Sequence, residues 1–257
     1  MDTNLVHELF DLTDRTIIIT GGSRGIGLAL AQACAAQGAQ VVVASRKLEA
    51  CEQAASQIRG NGGVALGVGV QMGEMESIHH LMATTVAEFG GLDLLVNNAA
   101  NPLALPISEI TEAAWDKSQE VNVKGPVFLA QAALPYLKQS DHAAVLNILS
   151  VAAITYSPGV AMYSAAKAAM LAWTRNMAAE WAHDGIRVNA LAPGPVDTYM
   201  MQQNPPEAIE RMKSMNLQGR IARVDELVGP ALLLLSDAGS YITGQMLVVD
   251  GGFSEAR

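Results

Sequence analysis

The sequence predicts an α/β fold, a doubly wound parallel sheet of about seven strands with helices on both faces. Three observations carry this. Apolar, β-branched runs of strand length alternate with helix-length segments along the whole chain of 257 residues. The strand runs are apolar throughout, as strands buried on both faces must be. The unusual polar and glycine-rich stretches fall directly after strands, where open α/β sheets bind their ligands.

Strands are expected at 16–19, 40–44, 64–70, 92–97, 143–149, 187–192 and 246–249. Helices are expected at 26–36, 49–59, 75–89, 113–137, 162–183 and 225–235, in the gaps between them. No low-complexity linker, internal repeat or charge block divides the chain, so residues 1–257 are read as one domain.

Half of the residues are apolar, enough for a large core, and the formal net charge is −9. A surface of that sign repels a nucleic acid or an anionic membrane unless a basic patch intervenes. No Lys/Arg run supplies one. No apolar run reaches the roughly 18 residues of a membrane span. The first 14 residues contain no Lys or Arg and carry Asp2, Glu8, Asp11 and Asp14, which lacks the basic region of a signal peptide. The ending Glu255-Ala-Arg257 is not a peroxisomal address. The expectation is a cytoplasmic protein with neither nucleic-acid nor membrane partners. Cys34 and Cys51 sit in Ala-rich helical stretches with no Cys-x-x-Cys and read as small buried thiols. His79 and His80 are adjacent and diverge on a helix, so no metal site is expected.

Thr20-Gly-Gly-Ser-Arg-Gly-Ile-Gly27 joins the first strand to the first long helix. Glycines there permit positive φ and close approach of backbone to a pyrophosphate. The helix N-terminus then offers N–H groups to the anion. Ser45-Arg46-Lys47 follows the second strand, where an NAD-selective site places an acid on the ribose 2′-OH. A guanidinium at Arg46 suits a 2′-phosphate instead, with Arg24 as a second cation. NADP(H) is therefore expected over NAD(H).

Tyr163-Ser-Ala-Ala-Lys167 places a phenol and an ammonium on one helix face. The strand that precedes it ends at Ser150. A free phenol has a pKa of roughly 10 and is a poor acid or base near neutrality. Lys167, one turn away, is placed to favour phenolate. Ser150 is placed to hydrogen-bond a substrate oxygen, and Tyr163 to donate or accept its proton.

Together these residues resemble the short-chain dehydrogenase/reductase family, a Rossmann-type fold, along nearly the whole chain. The family's cofactor turn is similar to residues 20–27, with contacts implied from Gly21, Ser23, Arg24 and Ile26. Its Asn-Asn-Ala-Gly element, which steadies the central sheet, resembles Asn97-Asn-Ala-Ala100, with Asn98 and Ala99 at the cofactor. Its helical Asn resembles Asn122 in Val121-Asn-Val-Lys-Gly125, implying a water-borne relay from the Lys to solvent. The resemblance assigns catalysis to Asn122, Ser150, Tyr163 and Lys167, the last two also touching the cofactor. It assigns nucleotide selection to Ser45 and Arg46. Pro193 and Gly194 resemble the family's Pro-Gly element and lead to Val196 and Thr198 at the nicotinamide carboxamide. Ser240-Tyr-Ile-Thr-Gly-Gln245 and Asp250-Gly-Gly252 also fit the family. Ala100 departs from its usual Gly, and Gln71 stands where an Asp commonly receives the adenine amino group. Within the family, residues 44–47 with 98–102 resemble NADP-dependent carbonyl reductases, and the tail resembles 3-oxoacyl-[acyl-carrier-protein] reductases.

The implied reaction is hydride transfer between NADP(H) and a small carbonyl or secondary alcohol. An NAD-dependent alcohol dehydrogenase and a catalytically silent nucleotide sensor on the same fold are the alternatives. The segment from about 195 to 224 carries Tyr199, Met200, Met201, Met212, Met215 and Leu217 and is expected as a lid over the substrate. Residues 156–160 with Leu103 and Leu105 are expected as the opposite wall. The helices at 113–137 and 162–183 are apolar on more than one face. By resemblance they form a dimer interface, and the last strand extends the assembly to a homotetramer.

Overall fold

Strong periodic segments become elements where the pattern places them. The computed structural model describes residues 5–255. Asp2 and residues 256–257, part of the targeting expectation, lie outside the described residues. The first half runs α1 (Leu5–Phe10), β1 (Thr16–Thr20), α2 (Gly25–Ala36), β2 (Gln40–Ser45), α3 (Leu48–Gly60), β3 (Val64–Gly69), α4 (Met75–Phe89) and β4 (Leu94–Asn97). The second runs α5 (Glu112–Gln119), α6 (Gly125–Leu137), β5 (Ala144–Ile148), α7 (Ala161–Trp181) and β6 (Arg187–Pro193). It ends with α8 (Tyr199–Gln202), α9 (Pro206–Ser214), α10 (Val228–Leu235) and β7 (Met246–Val249).

The seven strands form one sheet in the order β3-β2-β1-β4-β5-β6-β7, with every pairing parallel. The strand order reverses between β1 and β4, which opens a crevice beyond their carboxyl ends. Side chains alternate across the sheet. Ile17, Ile19, Val41 and Val43 face the core beneath α2, α3 and α10. Ile18, Val42, Leu95 and Val145 face the core beneath α4 and α6.

Two local features depart from the simple pattern. Residues 113–137 do not form one helix. Between α5 and α6, Glu120–Lys124 makes a turn of π-helix, with the Gly125 N–H reaching back five residues to the Glu120 carbonyl. Pro126 is the cause: it has no N–H to aim at the Asn122 carbonyl, so the regular pattern fails there. The lid segment, expected as a loop and helix, contains two short helices. Its ends are pinned by a parallel bridge between Val196 and Ala222.

The outer strand β3 is protected at its edge by α3. Glu52 accepts the Gly67 N–H at 3.2 Å and Arg59 donates to the Ala65 carbonyl at 2.7 Å. These bonds occupy edge groups that would otherwise template another strand. α3 approaches so closely that a Cβ on Gly67 would lie 2.6 Å from the Glu52 nitrogen and 2.7 Å from the Cys51 carbonyl carbon. Both obstacles are backbone. Gly67→Ala is therefore expected to lower stability by about 1–3 kcal/mol through overpacking. Chemical denaturation measures this, and an unchanged midpoint would show that α3 has room to retreat.

Candidate active site

The glycine turn holds its shape through contacts that leave no room for side chains. A Cβ on Gly27 would lie 2.3 Å from the Gly21 oxygen, so α2 can start this close to β1 only with glycine there. Arg24 at the N-cap makes no side-chain cap, and the first turn of α2 holds no acid. Its N–H groups are therefore oriented for an external anion. Ile26, expected at the cofactor, is half-buried and packs on the core at the start of α2. Thr20 organises the neighbouring strand. Its hydroxyl donates to the Val96 carbonyl at 3.2 Å and accepts from the Asn98 and Ala99 N–H groups at 3.0 and 3.1 Å. The Asn98 amide donates to the Thr20 and Gly21 carbonyls at 2.9 and 3.2 Å. Asn98 and Ala99 thus hold the turn, and their polar groups are already engaged in doing so.

Beyond β2, the Ser45 hydroxyl lies 3.0 Å from that of Ser23, joining the strand end to the turn. Arg46 and Lys47 are exposed, and among the described residues neither enters an ion pair. The Arg24 guanidinium stacks 5.0 Å from the centre of the Tyr199 ring. Gln71 is exposed after β3, and its N–H donates to Ser77 at 2.9 Å. An uncapped helix start behind a glycine turn fits the pyrophosphate of a dinucleotide.

β5 delivers the second cluster. Ser150 caps the turn Val151–Ala153, accepting the Ala152 N–H at 3.1 Å. With that lone pair occupied, its own proton is directed elsewhere, and its hydroxyl bonds the Tyr163 phenol. Lys167 is 3% exposed and donates to the Ile148 carbonyl at 2.7 Å. Its Nζ lies 5.4 Å from the centre of the Tyr163 ring. Burial pushes the phenol up to about 12, against a smaller lowering by the Ser150 bond. Desolvation thus sets the direction of the phenol's shift, with the Lys167 ammonium turned to the Ile148 carbonyl. Burial also brings Lys167 down to about 8. Asn122, 1% exposed, accepts the Asn101 N–H and donates to the Asn101 carbonyl, both at 2.9 Å. Its side chain therefore clamps the segment after β4.

β6 and β7 complete the face. A Cβ on Gly194 would lie 2.7 Å from that of Asp250, so Pro193 and Gly194 turn directly against the end of β7. Thr198 caps α8 through the Met201 N–H at 3.3 Å, and its methyl carbon borders Gly25. Tyr199, Met200 and Leu217 of the lid segment are exposed, whereas Met201, Met212 and Met215 are half-buried. On the other side Ile154 and Tyr156 are exposed, with Leu103 and Leu105 half-buried. Sequence reasoning missed three contributors: Asp250, Tyr199 as the seat of Arg24, and Thr20 as the organiser of the turn. A threonine ending a buried strand before a glycine turn was the available signal for the last.

Among the described residues no group of His, Cys, Asp and Glu is arranged to hold a metal ion. Both cysteines are free and buried, as expected. No helix of the described residues is long and apolar enough to cross a membrane.

Fold and site together have the form of a nucleotide-dependent oxidoreductase. The family described as enoyl-(acyl carrier protein) reductase matches residues 21–254. Human dehydrogenase/reductase SDR family member 4 is 37% identical over 244 residues, spanning 94% of this chain and 88% of the relative. Gluconate 5-dehydrogenase of Gluconobacter oxydans is 33% identical over 249 residues, covering 96% and 97%. The crystal structure of a gluconate 5-dehydrogenase from Burkholderia cenocepacia, in complex with NADP and tartrate, superposes with a TM-score of 0.93 at 32% identity. That match covers 98% of this chain and 100% of the other. The chain belongs to the short-chain dehydrogenase/reductase family.

The buried ammonium generates a test. Lys167 has a pKa of about 8 in the folded protein and an ordinary value of 10.5. Between those values the unfolded chain binds more protons, so native stability rises with pH across that window. Below it the full desolvation cost is present. Lys167→Met keeps the length and removes the charge, but loses the bond to Ile148. It is expected to raise stability near neutral pH by about 1–2 kcal/mol. The gain falls as pH rises from about 8 to 10.5 and becomes a deficit above that, where only the lost bond to Ile148 counts. Denaturation at several pH values measures it; a variant weaker than wild type at neutral pH would contradict the burial argument.

Proposed function

We propose that the protein is an NADP(H)-dependent oxidoreductase that interconverts a small carbonyl compound and its secondary alcohol. The juxtaposition of Ser150, Tyr163 and Lys167 at the end of β5, beside the glycine turn, carries this reading. A nicotinamide cofactor, when bound, supplies or receives the hydride.

The protein's own groups manage the oxygen and its proton. Ser150 donates to the substrate oxygen and aligns the carbonyl carbon. Tyr163 transfers its proton to that oxygen during reduction and recovers it during oxidation. Lys167 stabilises the ionised phenol electrostatically. The π-turn around Asn122 gives the ammonium a route to solvent for proton return. Gly21 and the start of α2 cradle the pyrophosphate, with the Ser23 hydroxyl turned to the Ser45 side of the turn. Pro193, Gly194, Val196 and Thr198 frame the nicotinamide. Arg46 and Arg24 pair with the 2′-phosphate, which favours NADP(H) over NAD(H). The NADP complex of the Burkholderia relative supports this choice. Residues 195–224 act as the lid, and its apolar lining with Ile154 and Tyr156 suits an apolar substrate. The exposed Trp115, Phe128 and Trp173 on α5, α6 and α7, with the half-exposed β7, support a homotetramer.

Tyr163→Phe is expected to lower turnover by a factor on the order of 10²–10⁴ and to leave NADPH binding intact. Loss of binding alongside turnover would point to a structural role instead. Reduction needs the neutral phenol, whose pKa of about 12 keeps it protonated through the neutral range. The kcat/KM for reduction is therefore expected to stay level until strongly alkaline pH, whereas oxidation, which needs phenolate, speeds up as pH rises. Arg46→Asp is expected to reverse the NADPH/NADH preference. Fluorescence titration of both nucleotides decides this, and an unchanged ratio would remove Arg46 from cofactor selection.

A further inference from the structure

The tight contact at Gly67 has a second effect, because it brings Cys51 of α3 to the carboxyl end of β2. The thiol is fully buried and lies 3.1 Å from the Ser45 hydroxyl oxygen. Its sulfur also lies 3.6 Å from the Ser45 carbonyl, a second acceptor for the thiol proton. Ser45 in turn lies 3.0 Å from the Ser23 hydroxyl in the glycine turn. A thiol and two hydroxyls therefore form a chain from the core to the surface between the turn and the end of β2. In this architecture that surface receives the adenosine ribose of a dinucleotide.

We propose that Cys51 is a positioning residue for cofactor selection, orienting the Ser45 and Ser23 hydroxyls as donors towards the 2′-phosphate of NADP(H). The inference rests on the NADP(H) reading above. A hydroxyl carries one proton and two lone pairs, so its direction depends on its partners. With the thiol donating to Ser45, the Ser45 proton goes to Ser23, and the Ser23 proton is left to point outwards. The chain then ends in a donor, and each bond polarises the next. A phosphate only accepts, so it matches that end. A ribose hydroxyl can turn to donate or accept and gains little from a set direction. Arg46 and Arg24 contribute charge, and the hydroxyl chain contributes orientation.

The test compares dissociation constants for NADPH and NADH, with thermal melts alongside, for Cys51→Ala, Cys51→Ser and Ser23→Ala. Cys51→Ala is expected to weaken NADPH binding about fivefold, the size of one hydrogen bond, and to change NADH by less than about twofold. Cys51→Ser keeps a donor and restores NADPH binding. Ser23→Ala breaks the chain at its outer end and reproduces the NADPH-selective loss. Should Cys51→Ala fail to fold, Ser23→Ala and Cys51→Ser carry the comparison. Equal losses for both nucleotides, or no loss for either, would overturn the proposal and leave Cys51 as packing. A wild-type protein that binds NADH as tightly as NADPH would overturn the NADP(H) reading itself, and this inference with it.

Discussion

The carboxyl face of the sheet is organised around one costly group, the buried ammonium of Lys167. An isolated charge in a protein interior is expensive unless polar groups are arranged around it. Here the Ile148 carbonyl at 2.7 Å supplies the contact, and it is available because β5 ends there. Beneath it runs a buried polar ladder. Asn97 donates to Asn147 at 2.9 Å, Asn147 donates to Thr174 at 2.9 Å, and Thr174 donates to the Met170 carbonyl at 2.7 Å. That ladder ties β4 and β5 to α7, the helix that carries both Tyr163 and Lys167. Placing the ammonium precisely therefore depends on polar contacts in the sheet as well as on apolar packing. Strain and desolvation of this kind persist where the surroundings over-determine the geometry.

The nucleotide side relies on the opposite device, the removal of side chains. Gly27 lets α2 begin against the glycine turn, and Gly194 lets β6 turn against Asp250. Against desolvation by burial, the Ser254 hydroxyl at 2.6 Å and the Ser254 and Gly252 N–H groups, both at 2.8 Å, hold the Asp250 carboxyl below the usual range. Thr20 and Asn98 then couple the turn to the end of β4. The two halves of the site share β4 and β5, which pair in register from Leu94 with Ala144 to Asn97 with Asn147. A shift of one would therefore displace the other.

Much of this was legible in the sequence because it follows from periodicity and from residues with few uses. Continuous apolar runs located the strands to within about two residues at either end, and parallel burial explains their uniformity. Glycines and the Tyr163/Lys167 pair sit in chemistry-specific patterns. What was not legible depends on long-range contact. The break between α5 and α6 arises from a proline inside an otherwise good helical pattern, and sequence periodicity overrode it. The stacking of Arg24 on Tyr199 joins residues far apart in the chain. The pairing of Val196 with Ala222, which joins the two ends of the segment 195–224, has no local signature. The raised Tyr163 pKa reflects desolvation, and desolvation is set by the packed structure rather than by the spacing of Tyr and Lys.

The charge distribution links these features to recognition. A chain with a net charge of −9 repels anions on average, yet the proposed ligand is strongly anionic. The resolution is local. Arg24, Arg46 and Lys47 cluster around the crevice at the β1/β4 switch point, close to the uncapped start of α2. Arg220 and Arg223, farther along the lid, are instead neutralised by Glu226 and Asp225. Cations left unpaired at the crevice and paired elsewhere concentrate positive potential at one place on an acidic surface. The acidic remainder also disfavours non-specific association with other polyanions. The same distribution therefore focuses attraction on a small phosphorylated ligand, and salt weakens that attraction over distances of about a Debye length.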